Sequence, residues 1–110
     1  MPTFVLLTRM SETAATPPKR LEEVEKEMMR HIREQCPKVE WVNNLAVLGP
    51  YDYLDIFEAP DLETAAKVAT LVRTYGHAHT EVWGAIEWER YKDLVRHLPD
   101  DELIATAVGA

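Results

Sequence analysis

The residues best equipped for chemistry lie in two short runs, Tyr51-Asp52-Tyr53-Leu54-Asp55-Ile56-Phe57 and His77-Ala78-His79-Thr80-Glu81-Val82-Trp83. Successive side chains of an extended strand point to opposite faces. Asp55 therefore shares a face with Tyr51, Tyr53 and Phe57, while His79 shares one with His77, Glu81 and Trp83. A carboxylate pointing into an aromatic, partly dry space must be paired, hydrogen-bonded or protonated. Desolvation raises its pKa, which suits a general acid or base. Asp55 and His79 are thus the candidate catalytic residues. Tyr51, Tyr53, His77, Glu81, Trp83 and Arg9 are the candidate ligand contacts, with Arg9 placed beyond the first strand to neutralise an anion. The competing assignment for Asp55 is a structural pair with an arginine or histidine at a subunit interface.

Two imidazoles and a carboxylate at alternate positions could in principle hold a divalent metal. Same-face neighbours on a strand are about 6.6–6.8 Å apart along the backbone, so a hydrogen-bonded histidine pair is favoured and neither metal nor other cofactor is assigned. Asp52, just after the Gly49-Pro50 turn, is expected to hydrogen-bond turn backbone. Cys36, the only cysteine, excludes an intrachain disulfide and has no evident activating neighbour. Phosphate loops, Cys-x-x-Cys and Gly-x-Ser-x-Gly elements are missing from the sequence.

The elements that must position these groups can be read in order. Thr3–Thr8 is a β-rich run. Thr16 with Pro17-Pro18 suggests a helix start, and Leu21, Val24, Met28 and Ile32 form one helical stripe up to Pro37. Val39–Leu48 reads as a second strand, interrupted near Asn43-Asn44 by a bulge. Tyr51–Glu58 is a third strand. Asp61 caps a second helix carrying Ala65, Val68, Ala69 and Val72, with Gly76 as its expected stop. His77–Ile86 is a fourth strand, and a short helix follows to about Leu98. The order βαββαβ with a terminal helix predicts an α+β, ferredoxin-like fold: a four-stranded antiparallel sheet with helices on one face. Residues 1–98 form the expected domain and 99–110 a tail.

In that topology the first strand separates the third from the fourth, so Asp55 and His79 stand about 10 Å apart. The helices are expected to cover the aliphatic set Leu54, Ile56, Val82 and Ile86. The aromatic face would then meet a second copy of the sheet, because so much apolar surface is rarely left in water.

A net charge of -7 disfavours nucleic acid and anionic membrane surfaces as partners. The run Phe4-Val5-Leu6-Leu7 is too short for a signal-peptide core, and no stretch reaches a membrane span. A cytoplasmic location is expected.

The segments Gly49-Pro50-Tyr51-Asp52, Glu58-Ala59-Pro60-Asp61 and Gly76-His77 leading into Thr80-Glu81-Val82-Trp83, taken with Thr3-Phe4-Val5, resemble the GYD domain family over most of the chain. That resemblance implies a dimeric α/β barrel, a homodimer or higher homo-oligomer, without an assigned reaction. Two functions fit. One is binding of a small-molecule metabolite or another protein without chemistry. The other is a cofactor-independent enzyme, monooxygenase- or isomerase-like, acting on a small aromatic or polyketide-like substrate.

Overall fold

The aliphatic N-terminal run becomes the strand on which the sheet is built. In this structure, a computed structural model that describes residues 1–11 and 20–99, it forms β1 (Thr3–Met10). Antiparallel β3 (Tyr53–Glu58) and β4 (Ala78–Ala85) flank β1, and β2 (Glu40–Ala46) adds outside β3, giving the order β2-β3-β1-β4. Helices α1 (Leu21–Gln35) and α2 (Leu62–Gly76) share one face, and α3 (Trp88–Arg96) follows β4. This is the expected ferredoxin-like α+β arrangement. The Thr16, Pro17 and Pro18 start signal and residues 100–110 of the tail lie outside the described residues.

Local chemistry sets most boundaries. Asp61 caps α2: its Oδ1 accepts from the Thr64 backbone N–H at 2.8 Å and from the Thr64 hydroxyl at 2.6 Å. Gly76, expected to stop α2, is instead its last helical residue; the left-handed position belongs to His77, with φ 49° and ψ 54°. The β2 irregularity falls between Trp41 and Asn43 and leaves Val42 exposed. Gly49 has φ 156°, where a side chain would be strained. Asp52 ties that turn to the sheet. Its N–H donates to the Thr8 carbonyl at 2.8 Å, its carbonyl accepts from Val47 N–H at 2.9 Å, and Oδ2 accepts from Met10 N–H at 2.7 Å. The expected backbone role of Asp52 thus extends from its own turn to the end of β1.

The core lies between sheet and helices. Phe4, Leu6 and Phe57 pack with Ile32 of α1 and with Ala65, Val68, Ala69 and Val72 of α2. Phe57 is fully buried between the rings of Phe4 and Trp41, with centroids at 5.6 and 5.3 Å. On the helix layer, the His31 ring stacks on Tyr75 at 3.8 Å.

This packing reverses one expectation. Register pairs Phe57 with Phe4, Asp55 with Leu6 and Tyr53 with Thr8, and directly opposed residues share a face. Tyr53, Asp55 and Phe57 therefore point toward the helices, while Leu54 and Ile56 point to the open side. On β4 the expectation holds for Val82, which opposes Leu6 and packs against the core. Ile86 lies beyond β4 and is exposed. One large aromatic outweighs two aliphatics here, because Phe57 completes the ring stack that α2 seals.

Two substitutions test these anchors in urea denaturation. Phe57→Ala should lose about 3–5 kcal/mol, through lost transfer energy and the cavity left behind. Asp61→Ala should lose about 1 kcal/mol. A Phe57→Ala loss under about 1 kcal/mol would contradict the core described.

Candidate functional site

The helix-facing side of the sheet is not filled along its whole length. A cleft of about 350 Å³ opens between the first turns of α1 and the sheet. Its floor is Leu6, Thr8 and Met10 of β1, Tyr53 and Asp55 of β3, and Trp41, Asn44, Leu45 and Ala46 of β2. Leu21, Val24, Glu25, Met28 and Met29 of α1 form the roof. The walls are mainly apolar, and unbranched methionines adapt readily to varied shapes.

Asp55 supplies the charge at the base of this space. It is half-buried, and among the described residues no group donates a hydrogen bond to its carboxylate. Burial, followed by the negative charge of Glu25, pushes its pKa up to about 6. At neutral pH it is a partly desolvated, mostly ionised carboxylate on the same strand face as Tyr53. Such a group can accept a proton or bind a donor.

The other sequence candidates fall elsewhere. Tyr51 is half-buried in the segment before β3 and does not line the cleft. His77 is an exposed helix cap rather than a strand residue, and its carbonyl accepts from Ser11 N–H at 3.3 Å. Its left-handed backbone removes it from the alternation expected to align it with His79. Arg9 opposes His79 in register, and Arg9, His79, Glu81 and Trp83 are all exposed on the open face. An Asp55–His79 couple is therefore excluded within one chain: the two side chains leave opposite faces of the sheet. Among the described residues, no group of three or more His, Cys, Asp or Glu side chains is placed to hold a metal ion. Burial raises the pKa of the Cys36 thiol, against a smaller opposing effect from Lys67, which keeps the thiol protonated.

Glu25, Asn44 and Thr8 were not singled out by sequence pattern, yet they complete the polar part of the cleft. A signal for Glu25 existed. It lies four residues after Leu21 and three before Met28, on the edge of the apolar stripe. Asn44 is recognisable only once register sets it opposite Asp55.

The chain belongs to the GYD domain family, whose pattern matches residues 4–95. It is 34% identical over 90 residues to the "Glutamine synthetase and cystathionine beta-lyase binding protein" of Thermus thermophilus, covering 78% of this chain and 90% of that protein. Among solved structures, it is similar to At3g17210 from Arabidopsis thaliana, with a TM-score of 0.50, 12% identity and coverage of 79% of this chain and 95% of that one. That likeness concerns the fold alone. It is also similar to the leucine response regulatory protein LrpA of Mycobacterium tuberculosis, with a TM-score of 0.49 and 12% identity, over 78% of this chain. The chain spans about half (51%) of the length of LrpA.

Asp55 has a definite pH signature. Its folded-state pKa lies above the unfolded value, so folding takes up a proton between about pH 4 and 6. Stability from this group is present below the unfolded pKa and is lost as pH rises through the folded pKa near 6. Because the cleft admits water, the cost of ionisation is about 1–2 kcal/mol rather than the full shift. Asp55→Asn should therefore gain about 1–2 kcal/mol at pH 7.5 and flatten the stability profile between pH 4 and 6. Equal stability of variant and parent across that range would contradict a desolvated Asp55.

Proposed function

We propose that this GYD-domain chain is a homodimeric binding protein that admits a small molecule to the cleft between α1 and the sheet. The observation that carries the proposal is Asp55, a carboxylate without a donor among the described residues at the base of a largely apolar space. The volume of about 350 Å³ falls within the range of small-molecule sites. A charged group left without a partner there raises the energy of the empty state, and a ligand that donates to it recovers that cost.

The open sheet face supports the homodimer. Val5, Leu54 and Ile56 lie on it half-buried, beside Leu7, which is already buried within the chain, and Trp83 remains 52% exposed. A second sheet laid against this surface would bury it and surround the polar groups Arg9, His79 and Glu81. The name of the Thermus thermophilus relative supports binding over catalysis. It makes glutamine synthetase and cystathionine β-lyase the first partners to try for this chain, in the cytoplasm where such enzymes work. The net charge of -7 supports neither nucleic acid nor an anionic membrane as partner.

One observation favours a second function, a cofactor-independent enzyme. With its pKa pushed up to about 6, Asp55 is suited to take a proton from a bound substrate, with Tyr53 beside it as donor. A substrate that is converted would separate this from simple binding.

Native mass spectrometry of protein purified gently from its host should show a dimer carrying an added organic mass. Ala46→Trp, which places a large ring at the cleft, should keep the dimer and lose the added mass. Trp83→Glu should give a folded monomer. A wild-type monomer would overturn the homodimer, and added mass unaffected by Ala46→Trp would move the ligand out of the cleft.

A further inference from the structure

The side chains around the cleft constrain the charge of what enters it. Its ionisable groups among the described residues are Asp55, Glu25 and Tyr53, and no arginine, lysine or histidine joins them. The remaining polar side chains are the Thr8 hydroxyl and the Asn44 amide. Every other contributor is aliphatic, a methionine, glycine or Trp41. The described cations adjacent in sequence to the lining residues do not join it. Arg9 alternates to the open face of the sheet, Arg20 pairs with Glu23 at 3.7 Å, and Arg73 donates to the Thr70 and Thr80 hydroxyls. Lys26 and His77 are exposed, and Arg30 is held by Glu27 at 2.8 Å and Glu34 at 3.4 Å.

From this arrangement we propose that the cleft selects hydrophobic molecules bearing a protonated amine, with Asp55 as counter-ion, and rejects carboxylates and phosphates of the same skeleton. The inference rests on the cleft being a ligand site, and it adds the chemical class of that ligand. Four features converge. A carboxylate at the base lacks a donor among the described residues, and an ammonium group supplies up to three. A second carboxylate, Glu25, comes from the opposite wall, so a cation between them relieves a repulsion that an anion would add to. The apolar roof of Leu21, Val24, Met28 and Met29 offers the rest of the molecule a surface to bury. Trp41 lies at the floor, where a ring face also attracts a cation. An anionic ligand would find no countercharge on any of these walls.

The test uses three probes sharing one ring system: tryptamine, tryptophol and indole-3-acetate, which carry an ammonium, a hydroxyl and a carboxylate. Chemical-shift perturbation of the full chain at pH 7.5 locates each probe and gives its affinity. Tryptamine should perturb the amides of Thr8, Asn44, Tyr53 and Asp55 and bind at least about tenfold more tightly than tryptophol, the value of one charge-assisted contact. Indole-3-acetate should be weakest. The preference for tryptamine over tryptophol should disappear in Asp55→Asn while tryptophol binding persists, which guards against mistaking unfolding for lost recognition. It should also weaken on going from pH 7.5 to pH 5 as Asp55 takes up a proton; the other titratable groups facing the site are Glu25 and Tyr53. Equal affinity for amine and alcohol, or tighter binding of the carboxylate, would overturn the charge selection and leave the cleft as a ligand site. If none of the three perturbs the cleft, the ligand site falls, and the selection with it.

Discussion

Burial of Phe57 is the constraint on which the rest of this molecule depends. Its ring is fully enclosed between Phe4 and Trp41 under the helices. Side chains alternate along a strand, so fixing Phe57 inward also fixes Asp55 and Tyr53 inward. A register slip of one residue would expose the ring and turn both polar groups to the open face. The chain thus places a carboxylate in its own interior as a consequence of burying an aromatic residue two positions away. That carboxylate is accommodated because the packing over Phe57 does not continue to the far end of the sheet. There, α1 leaves a cleft instead of a closed core.

Separate faces of the sheet then carry separate properties. The helix face holds the core at one end and the Asp55 cleft at the other. The open face holds aliphatic residues with Trp83, Arg9, His79 and Glu81. A ligand site inside one chain and an association surface on the opposite side of the same sheet would compete for no residues. They share the β1–β3 pairing, so a ligand that orders one face acts on the strands that build the other. Helix α3 adds a further exposed apolar stripe: Trp88, stacked on Tyr91, with Leu94 following along the helix and Leu98 just beyond its end.

The element order was legible because each helix and strand carries its own period and its own end signals. The stripe Leu21, Val24, Met28, Ile32 marks α1, and the Asp61 cap marks the start of α2. Which residues share a face was legible for the same reason. Which face the helices cover was not. Alternation makes Leu54 and Ile56 as plausible a core as Tyr53, Asp55 and Phe57, and only pairing of Phe57 with Phe4 decides between them. The misassignment carried the candidate site with it, joining Asp55 to His79 across a sheet that separates them. His77 was lost for a different reason, since a non-glycine residue takes the left-handed cap where Gly76 was the expected choice. Asn44 depends on a distant pairing that no local pattern encodes, whereas the helical stripe places Glu25 at its edge but not over Asp55.

A folded chain that turns Asp55 into a partly dry cleft makes a direct demand on that carboxyl group. The measurement is a ¹³C NMR titration of the Asp55 side chain in the intact protein, assigned by comparison with Asp55→Asn. A midpoint near pH 6, where burial and the charge of Glu25 place it, is the result expected. A midpoint near the ordinary aspartate value of about 4 would mean that Asp55 is fully solvated, and would contradict the cleft as the functional centre of the molecule.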